Sequence, residues 1–215
     1  TGDIKGQIDF FTDKLGMELQ SMYWMHGVPD TWHAFLRLND ESSIAFVSNP
    51  QIKQIPTELG HTHSGNPGAN SAAGTMQHVA LKVDSYDELL DMRDRLRTKG
   101  VPVLGPMDHG MCFSIYFAGL ENLSLELAFS AEALDQDMWI DTEVTELAGI
   151  SPEELEKYKK PEEFKGQKGA VPQPDLGETK GPHMTNYPPG VYEKSMQLPD
   201  DFVLNMVEST PPGNS

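Results

Sequence analysis

The sequence has a single cysteine, few basic side chains and no long hydrophobic run. With one cysteine among 215 residues, Cys112 has no partner for a disulfide within the chain, which is typical of a reducing compartment. No apolar stretch approaches the roughly 20 residues that cross a bilayer. The 16 basic residues stand against 33 acidic ones, and the formal charge of −17 disfavours nucleic acid or an anionic membrane as a partner. These features predict a cytoplasmic protein whose partner is a small molecule.

The composition that remains is that of a folded globular protein. Hydrophobic residues make up 38% of the chain and charged residues 23%, so wholesale disorder, collagen and coiled coil are not expected. The length of 215 residues is enough for one large domain or two small ones.

The most regular pattern is a strand, a helix and three strands in the middle of the chain. Residues 77–83 alternate apolar and polar side chains, which is typical of a strand with one buried face. Ser85 and Glu88 form a capping box ahead of an apolar helical stripe. A helix is therefore predicted over residues 86–99, ending at Gly100. Further strands are predicted over residues 101–104, 113–117 and 123–129.

The first fifty residues repeat this order without its first strand. An apolar helical stripe ends at Gly16, and three strands are predicted after it, over residues 17–26, 32–38 and 43–48. Gly16 and Gly100 are 84 positions apart, and Ile44 and Leu125 are 81 positions apart. The counterpart of the second module's first strand would precede Thr1, so we expect the first module to lack that strand.

These modules and their connections divide the chain into four parts. The parts are a first module at 1–59, a loop of small residues at 60–75, a second module at 76–131 and an acidic, proline-rich extension at 132–215. In the extension, Ser151 and Glu154 predict one short helix, and the remainder is expected to lie over the modules or a partner subunit. The predicted fold class is α+β, with paired βαβββ modules forming a curved, cup-shaped mixed sheet and an extended C-terminal tail containing a short helix.

Strand alternation places several polar side chains of the second module on one face. Glu126 lies between Leu125 and Leu127, so it points away from the face that packs on the helix. The same alternation assigns His78 and Tyr116 to this open face. Neutral imidazole nitrogen and carboxylate oxygen are ligands that suit a divalent first-row metal. We therefore predict that His78 and Glu126 bind such a metal inside the cup.

A third ligand is expected from the first module. The counterpart of Glu126 there is Ala45, which cannot bind a metal, and the counterpart of His78 would lie in the strand that the chain lacks. Two histidines and one carboxylate are the facial arrangement of non-haem Fe(II) oxygenases. His26 and His33, on first-module strands, are the alternatives within the chain.

Paired βαβββ modules that contain IDFFTDKLGMEL, QHVALKV and LSLELAF resemble the vicinal oxygen chelate superfamily over residues 1–131. This superfamily includes glyoxalase I, bleomycin resistance proteins and extradiol ring-cleaving dioxygenases. The extradiol dioxygenase signature is matched in order and spacing by His109, Ile115, Tyr116 and Glu126. Five residues separate the first two of these, and nine separate the last two. The Asp, Pro and Gly of the signature's turn are not matched, since those positions hold Gly119, Leu120 and Asn122.

The resemblance implies roles for individual residues. His78 and Glu126 would be metal ligands. His109 and Tyr116 would lie close to the substrate oxygens, and His63, fifteen residues before His78, would act as an acid and base. The metal would be Fe(II), with Mn, Zn or Ni as alternatives, and the protein would form a homodimer. The activity would be that of an extradiol-like dioxygenase, which uses O2 on a catecholic or similar vicinally oxygenated compound.

Other interpretations stay open for the activity and for single residues. A glyoxalase-like lyase or isomerase would use Zn, Ni or Mn without O2, and a bleomycin-resistance-like protein would bind a small molecule without a metal. His109 can equally be a turn residue, Tyr116 can simply line a pocket, and His63 can be a solvated loop histidine.

Overall fold

The computed structural model describes residues 1–166, 169 and 171–214. Contacts divide the chain into two compact units, Thr1–Leu134 and Asp135–Ser215. The first unit contains the strands that were predicted, and the second contains short helices.

The elements of the first unit follow the predicted order. They are α1 (Ile4–Asp13), β1 (Leu19–Trp24), β2 (Trp32–Arg37), β3 (Ser43–Ser48), β4 (Val79–Lys82), α2 (Tyr86–Thr98), β5 (Val103–Asp108), β6 (Phe113–Ala118) and β7 (Ser124–Phe129). The first three strands form an antiparallel sheet in the order β1-β2-β3. The other sheet has the order β4-β7-β6-β5, with β4 parallel to β7 and the remaining pairs antiparallel. The α+β fold class is confirmed, and the hydrogen bonds form two open sheets.

The second module is a full βαβββ unit, and the first runs from α1 directly into three strands. Ser85 begins α2 as predicted, because its hydroxyl accepts a hydrogen bond of 3.0 Å from the backbone N–H of Glu88. The strand predicted at 101–104 differs from the structure, where β5 extends to Asp108. Its regular pairing with β6 is interrupted between Leu104 and Met107.

Both helices pack on the apolar faces of the sheets and share one hydrophobic core. Phe11 of α1 and Leu89 and Leu96 of α2 are fully buried. They belong to one core cluster with strand residues of both modules, namely Leu36, Ile115, Phe117, Leu125 and Leu127. Arg95 of α2 also donates hydrogen bonds of 2.9 and 2.8 Å to the carbonyls of Asp13 and Lys14 at the end of α1. Because α1 and α2 pack on the apolar face of the sheets, neither helix covers the opposite face, which we call the open face.

The second unit consists of short helices and irregular chain. Its helices are α3 (Gln136–Trp139), α4 (Thr142–Leu147), α5 (Pro152–Lys159), α6 (Val191–Ser195) and α7 (Asp200–Leu204). The predicted helix is α5, which begins with a capping box of Ser151 and Glu154. The described part of the second unit also contains four further short helices, and Asp135 and Asp141 cap the first two of them with their carboxylates.

None of the second unit's described residues is buried. In the part of the chain that the structure describes, no helix has the length and apolar character required to cross a membrane.

Candidate metal centre

The centre of the second sheet holds Glu126 on its open face. β7 lies between β4 and β6, and Glu126 is opposite Ala80 on one side and Tyr116 on the other. Its neighbours Leu125 and Leu127 are buried against the helix side. Alternation therefore turns the carboxylate of Glu126 to the other face, where it is still only 7% exposed. A carboxylate at this depth needs a partner, because burying an unpaired charge is costly.

That partner is His78, which directly precedes β4. Its Nε2 lies 2.8 Å from Oε2 of Glu126, and the two side chains are 27% and 9% exposed. Two neighbouring ligands at right angles on one metal ion, each at roughly 2.1 Å, are about 3 Å apart. The imidazole nitrogen and carboxylate oxygen thus have the spacing and the chemistry of two adjacent ligands of a divalent metal.

Tyr116 and His109 form a second pair beside the first. The Tyr116 hydroxyl lies 2.9 Å from Nε2 of His109, whose backbone N–H donates to the carbonyl of Cys112 across the β5–β6 turn. Burial raises the pKa of the Tyr116 phenol above its ordinary value, an interaction with Ser114 opposes this, and the charge of Glu126 raises it further. The phenol is therefore protonated at neutral pH and can donate a hydrogen bond to an oxygen of a bound molecule.

His63 lies in a different environment from these four residues. Its Nδ1 contacts the hydroxyl of Thr62 at 2.8 Å. It lines a cavity of about 570 Å³ together with Lys53 and Glu121, and the lining of that cavity does not include His78 or Glu126. The structure brings His78, Glu126, Tyr116 and His109 together and places His63 with other groups.

The histidines of the first module lie in an aromatic cluster. The His33 ring is 4.3 Å from the Tyr23 ring and 4.8 Å from the Phe35 ring, and His26 is 5.5 Å from Tyr23. Nε2 of His33 is buried without a hydrogen-bond partner in the structure. Among the described residues, no three His, Cys, Asp or Glu side chains come close enough to hold one metal ion. In the part of the chain that the structure describes, His78 and Glu126 are thus a pair of possible ligand groups without a third such side chain beside them.

The prediction from sequence does not include Gln77, whose side chain contacts Nδ1 of His78. Alternation assigns neighbouring residues to opposite faces only within a strand, and β4 begins two residues later, at Val79. The position of an amide next to a predicted ligand is the signal that could have identified it.

Comparison with known proteins identifies the family to which the chain belongs. Residues 1–138 match the family model described as the Glyoxalase/Bleomycin resistance protein/Dioxygenase superfamily. The match covers more than half of the chain, and the chain belongs to this superfamily. Among curated proteins, none matches the chain.

Several solved structures are similar to part of the chain. A glyoxylase/bleomycin resistance protein/dioxygenase domain from Frankia sp. EAN1pec is 15% identical, with 60% of this chain and 91% of that chain covered and a TM-score of 0.44. Lactoylglutathione lyase from Agrobacterium tumefaciens is 18% identical, with 60% and 87% covered and a TM-score of 0.41. A mutant of the fosfomycin resistance protein FosX from Listeria monocytogenes, in complex with Mn(II), is 17% identical, with 64% and 90% covered and a TM-score of 0.39.

Proposed function

We propose that His78 and Glu126 hold a divalent metal ion and that the open face of the second sheet is the active site of a metal-dependent enzyme. The observation that carries this proposal is the contact of 2.8 Å between Nε2 of His78 and the nearly buried Oε2 of Glu126. A buried carboxylate beside an imidazole nitrogen is stabilised by positive charge, and a metal ion provides it.

The activity that the surrounding residues support best is that of an extradiol-like dioxygenase on a catecholic or similar vicinally oxygenated small molecule. Fe(II) is our first choice of metal, and when bound it supplies Lewis acidity and positions for substrate and O2. Tyr116 is opposite Glu126 and within hydrogen-bond distance of His109, and these three residues are the ones that resemble the signature of these enzymes. His63, which the resemblance implies as an acid and base, does not lie among these residues.

In this proposal, the chain's own residues position the substrate and handle its protons. The protonated phenol of Tyr116 donates a hydrogen bond to a substrate oxygen and orients the ring. The imidazole of His109, 2.9 Å from that phenol, can accept a proton that the substrate hydroxyl gives up. The open sheet face admits the substrate, and the depth of Glu126 limits the access of water to its carboxylate.

The proposal also includes a homodimer, because the first sheet ends in an exposed apolar strand. In β1 the side chains of Met22 and Trp24 are 48% and 63% exposed. Exposed apolar side chains on an edge strand are stabilised when a second copy covers them.

A second candidate is a protein that binds a small molecule without catalysing a reaction. It is favoured by the absence of a third metal-binding side chain beside His78 and Glu126 in the described residues. In that case the polar face would hold its ligand through hydrogen bonds from Tyr116 and His109 alone.

Oxygen uptake by anaerobically purified full-length protein distinguishes these functions. The protein is analysed for metals, loaded in separate samples with Fe(II), Mn(II), Zn(II) or Ni(II), and mixed with a panel of catechols. The proposal expects bound metal and O2 consumption that depends on a catechol and on Fe(II). Turnover of a hemithioacetal without O2 would instead indicate a glyoxalase-like lyase, and catechol binding without metal or turnover would indicate the binding protein.

A further inference from the structure

The side chain of Gln77 connects the inter-module loop to His78. Its Oε1 lies 2.5 Å from Nδ1 of His78. Its Nε2 donates hydrogen bonds of 2.6 and 3.1 Å to the carbonyls of Pro67 and Ala69 in the loop. Behind it, the hydroxyl of the buried Ser64 donates to the backbone carbonyl of Gln77 at 2.5 Å. The amide of Gln77 thus connects the loop carbonyls of Pro67 and Ala69 to the predicted metal ligand His78.

These contacts determine which way the amide of Gln77 points. Backbone carbonyls only accept hydrogen bonds, so the group that faces Pro67 and Ala69 is the donor, the NH2 of Gln77. The group that faces His78 is then the amide oxygen, which only accepts. It follows that Nδ1 of His78 carries the proton in this contact.

The tautomer of His78 determines what its other nitrogen can do. A neutral imidazole with its proton on Nδ1 has a lone pair on Nε2, and this nitrogen faces Oε2 of Glu126 at 2.8 Å. Two lone pairs at that distance repel unless a proton or a metal ion lies between them. A metal ion that binds both atoms removes the repulsion. The Gln77 amide, by holding the proton on Nδ1, leaves the Nε2 lone pair free to bind such an ion.

We propose that Gln77 is a positioning residue that makes Nε2 of His78 the ligand atom and couples it to the loop carbonyls of Pro67 and Ala69. The inference rests on the proposed metal site, and its test separates the two. Hydrogen bonds to the far nitrogen of a ligating histidine fix its tautomer and ring orientation, and their loss weakens metal binding by about 10- to 100-fold.

The first arm of the test uses the metal-free wild-type protein and does not depend on metal binding. Nitrogen-15 NMR at alkaline pH reports which ring nitrogen of His78 carries the proton, with His78→Asn used to assign the signal. We expect the proton on Nδ1 in wild type and a mixture of tautomers in Gln77→Leu. A proton on Nε2 in the neutral ring of the wild type would overturn the inference.

The second arm measures Mn2+ affinity by calorimetry in three variants. Gln77→Leu removes both the acceptor and the loop contacts and should bind Mn2+ about 10- to 100-fold more weakly. Gln77→Glu keeps an acceptor for Nδ1 and should bind close to the wild-type affinity, which a merely structural role in holding the loop would not restore. Gln54→Leu is the matched control, because Gln54 is an exposed glutamine that, like Gln77, lies between β3 and β4.

The outcomes distinguish the two proposals. If Gln77→Leu binds Mn2+ as tightly as wild type, the positioning role is wrong and the metal site stands. If wild type and the Gln54→Leu control bind no metal, the metal site is wrong, and the tautomer of His78 still tests the role of Gln77. Should Gln77→Leu fail to fold, the wild-type spectrum and Gln77→Glu decide the question.

Discussion

The two sheets of the first unit share an antiparallel strand order, β1-β2-β3 in one and β5-β6-β7 in the other, and differ in the polar groups of their open faces. In the first sheet Phe35 is opposite Ala45, and in the second Tyr116 is opposite Glu126. Both members of the second pair lie 81 positions after those of the first. The backbone frame is thus repeated in register, while an aromatic–methyl pair in one sheet is replaced by a phenol–carboxylate pair in the other.

This difference shows that the repeated backbone frame does not by itself determine the chemistry of its open face. The open face of the first sheet is occupied by the packed rings of Tyr23, His33 and Phe35. In the second sheet the equivalent face presents a hydrogen-bonded carboxylate, imidazole and phenol. The polar groups of the candidate site therefore come from the second module, although both modules repeat the same strands.

The strands at the free edge also differ in their irregularities. The pairing of β1 with β2 shifts between Leu19 and Ser21, and that of β5 with β6 shifts between Leu104 and Met107. The irregularity in β5 includes Gly105, whose φ of +112° is in the region that favours glycine. A Cβ on Gly105 would lie 2.6 Å from the backbone oxygen of Ser114.

Substitution of this glycine is the strongest test of the difference between the two edges. Gly105→Ala should lower the free energy of unfolding by about 3 kcal/mol, because the strained backbone and the overlap with Ser114 both act against it. Ser21→Ala, next to the irregularity in β1, should change it by less than about 0.5 kcal/mol. Urea denaturation of the full chain measures both, and equal stabilities for the two variants would contradict this account.

Exchanging the aromatic residues of the two open faces tests where the chemistry lies. Tyr116→Phe should reduce turnover of an oxidised catechol by about 100-fold, because the proton donor to the substrate is lost, while the metal content stays unchanged. Phe35→Tyr adds the same hydroxyl to the first sheet and should leave turnover unchanged. A loss of activity in Phe35→Tyr alone would place the chemistry on the first sheet.

The contact between the two helices gives a smaller, pH-dependent effect. Hydrogen bonds from Lys14 and Lys99 lower the pKa of Asp13 from 3.8 to about 2. Since the folded pKa is the lower one, the stabilisation is present above pH 4 and is lost as the pH falls toward 2. Asp13→Asn should therefore lower Tm slightly at neutral pH, and the difference from wild type should shrink over that acidic range. A difference in Tm that does not vary with pH would show that this ion pair does not contribute.

Much of the frame could be predicted from the sequence because it depends on local periodicity. The alternation around Glu126 and the 81-residue offset to Ala45 predict the faces and the register that the structure contains. The capping residues Ser85 and Ser151 predict helix starts correctly. These signals involve neighbours within a few residues and need no knowledge of tertiary contacts.

Features that depend on loops could not be predicted in the same way. The continuation of β5 through Gly105 is hidden by a glycine and a proline, which are typical of a loop. The contact of Gln77 with Pro67 and Ala69 depends on how the loop folds back, which periodicity does not report. The resemblance likewise implies His63 as part of the predicted site, whereas the loop places it beside Thr62 and in another cavity.

The metal content of two reciprocal variants tests the central claim most directly. Glu126→Ala gives the second sheet the alanine of the first, and Ala45→Glu gives the exposed position in the first sheet the carboxylate of the second. Elemental analysis after anaerobic purification should find an equimolar divalent metal in wild type and in Ala45→Glu, and none in folded Glu126→Ala. An equimolar metal that persists in Glu126→Ala would contradict the claim that Glu126 binds it.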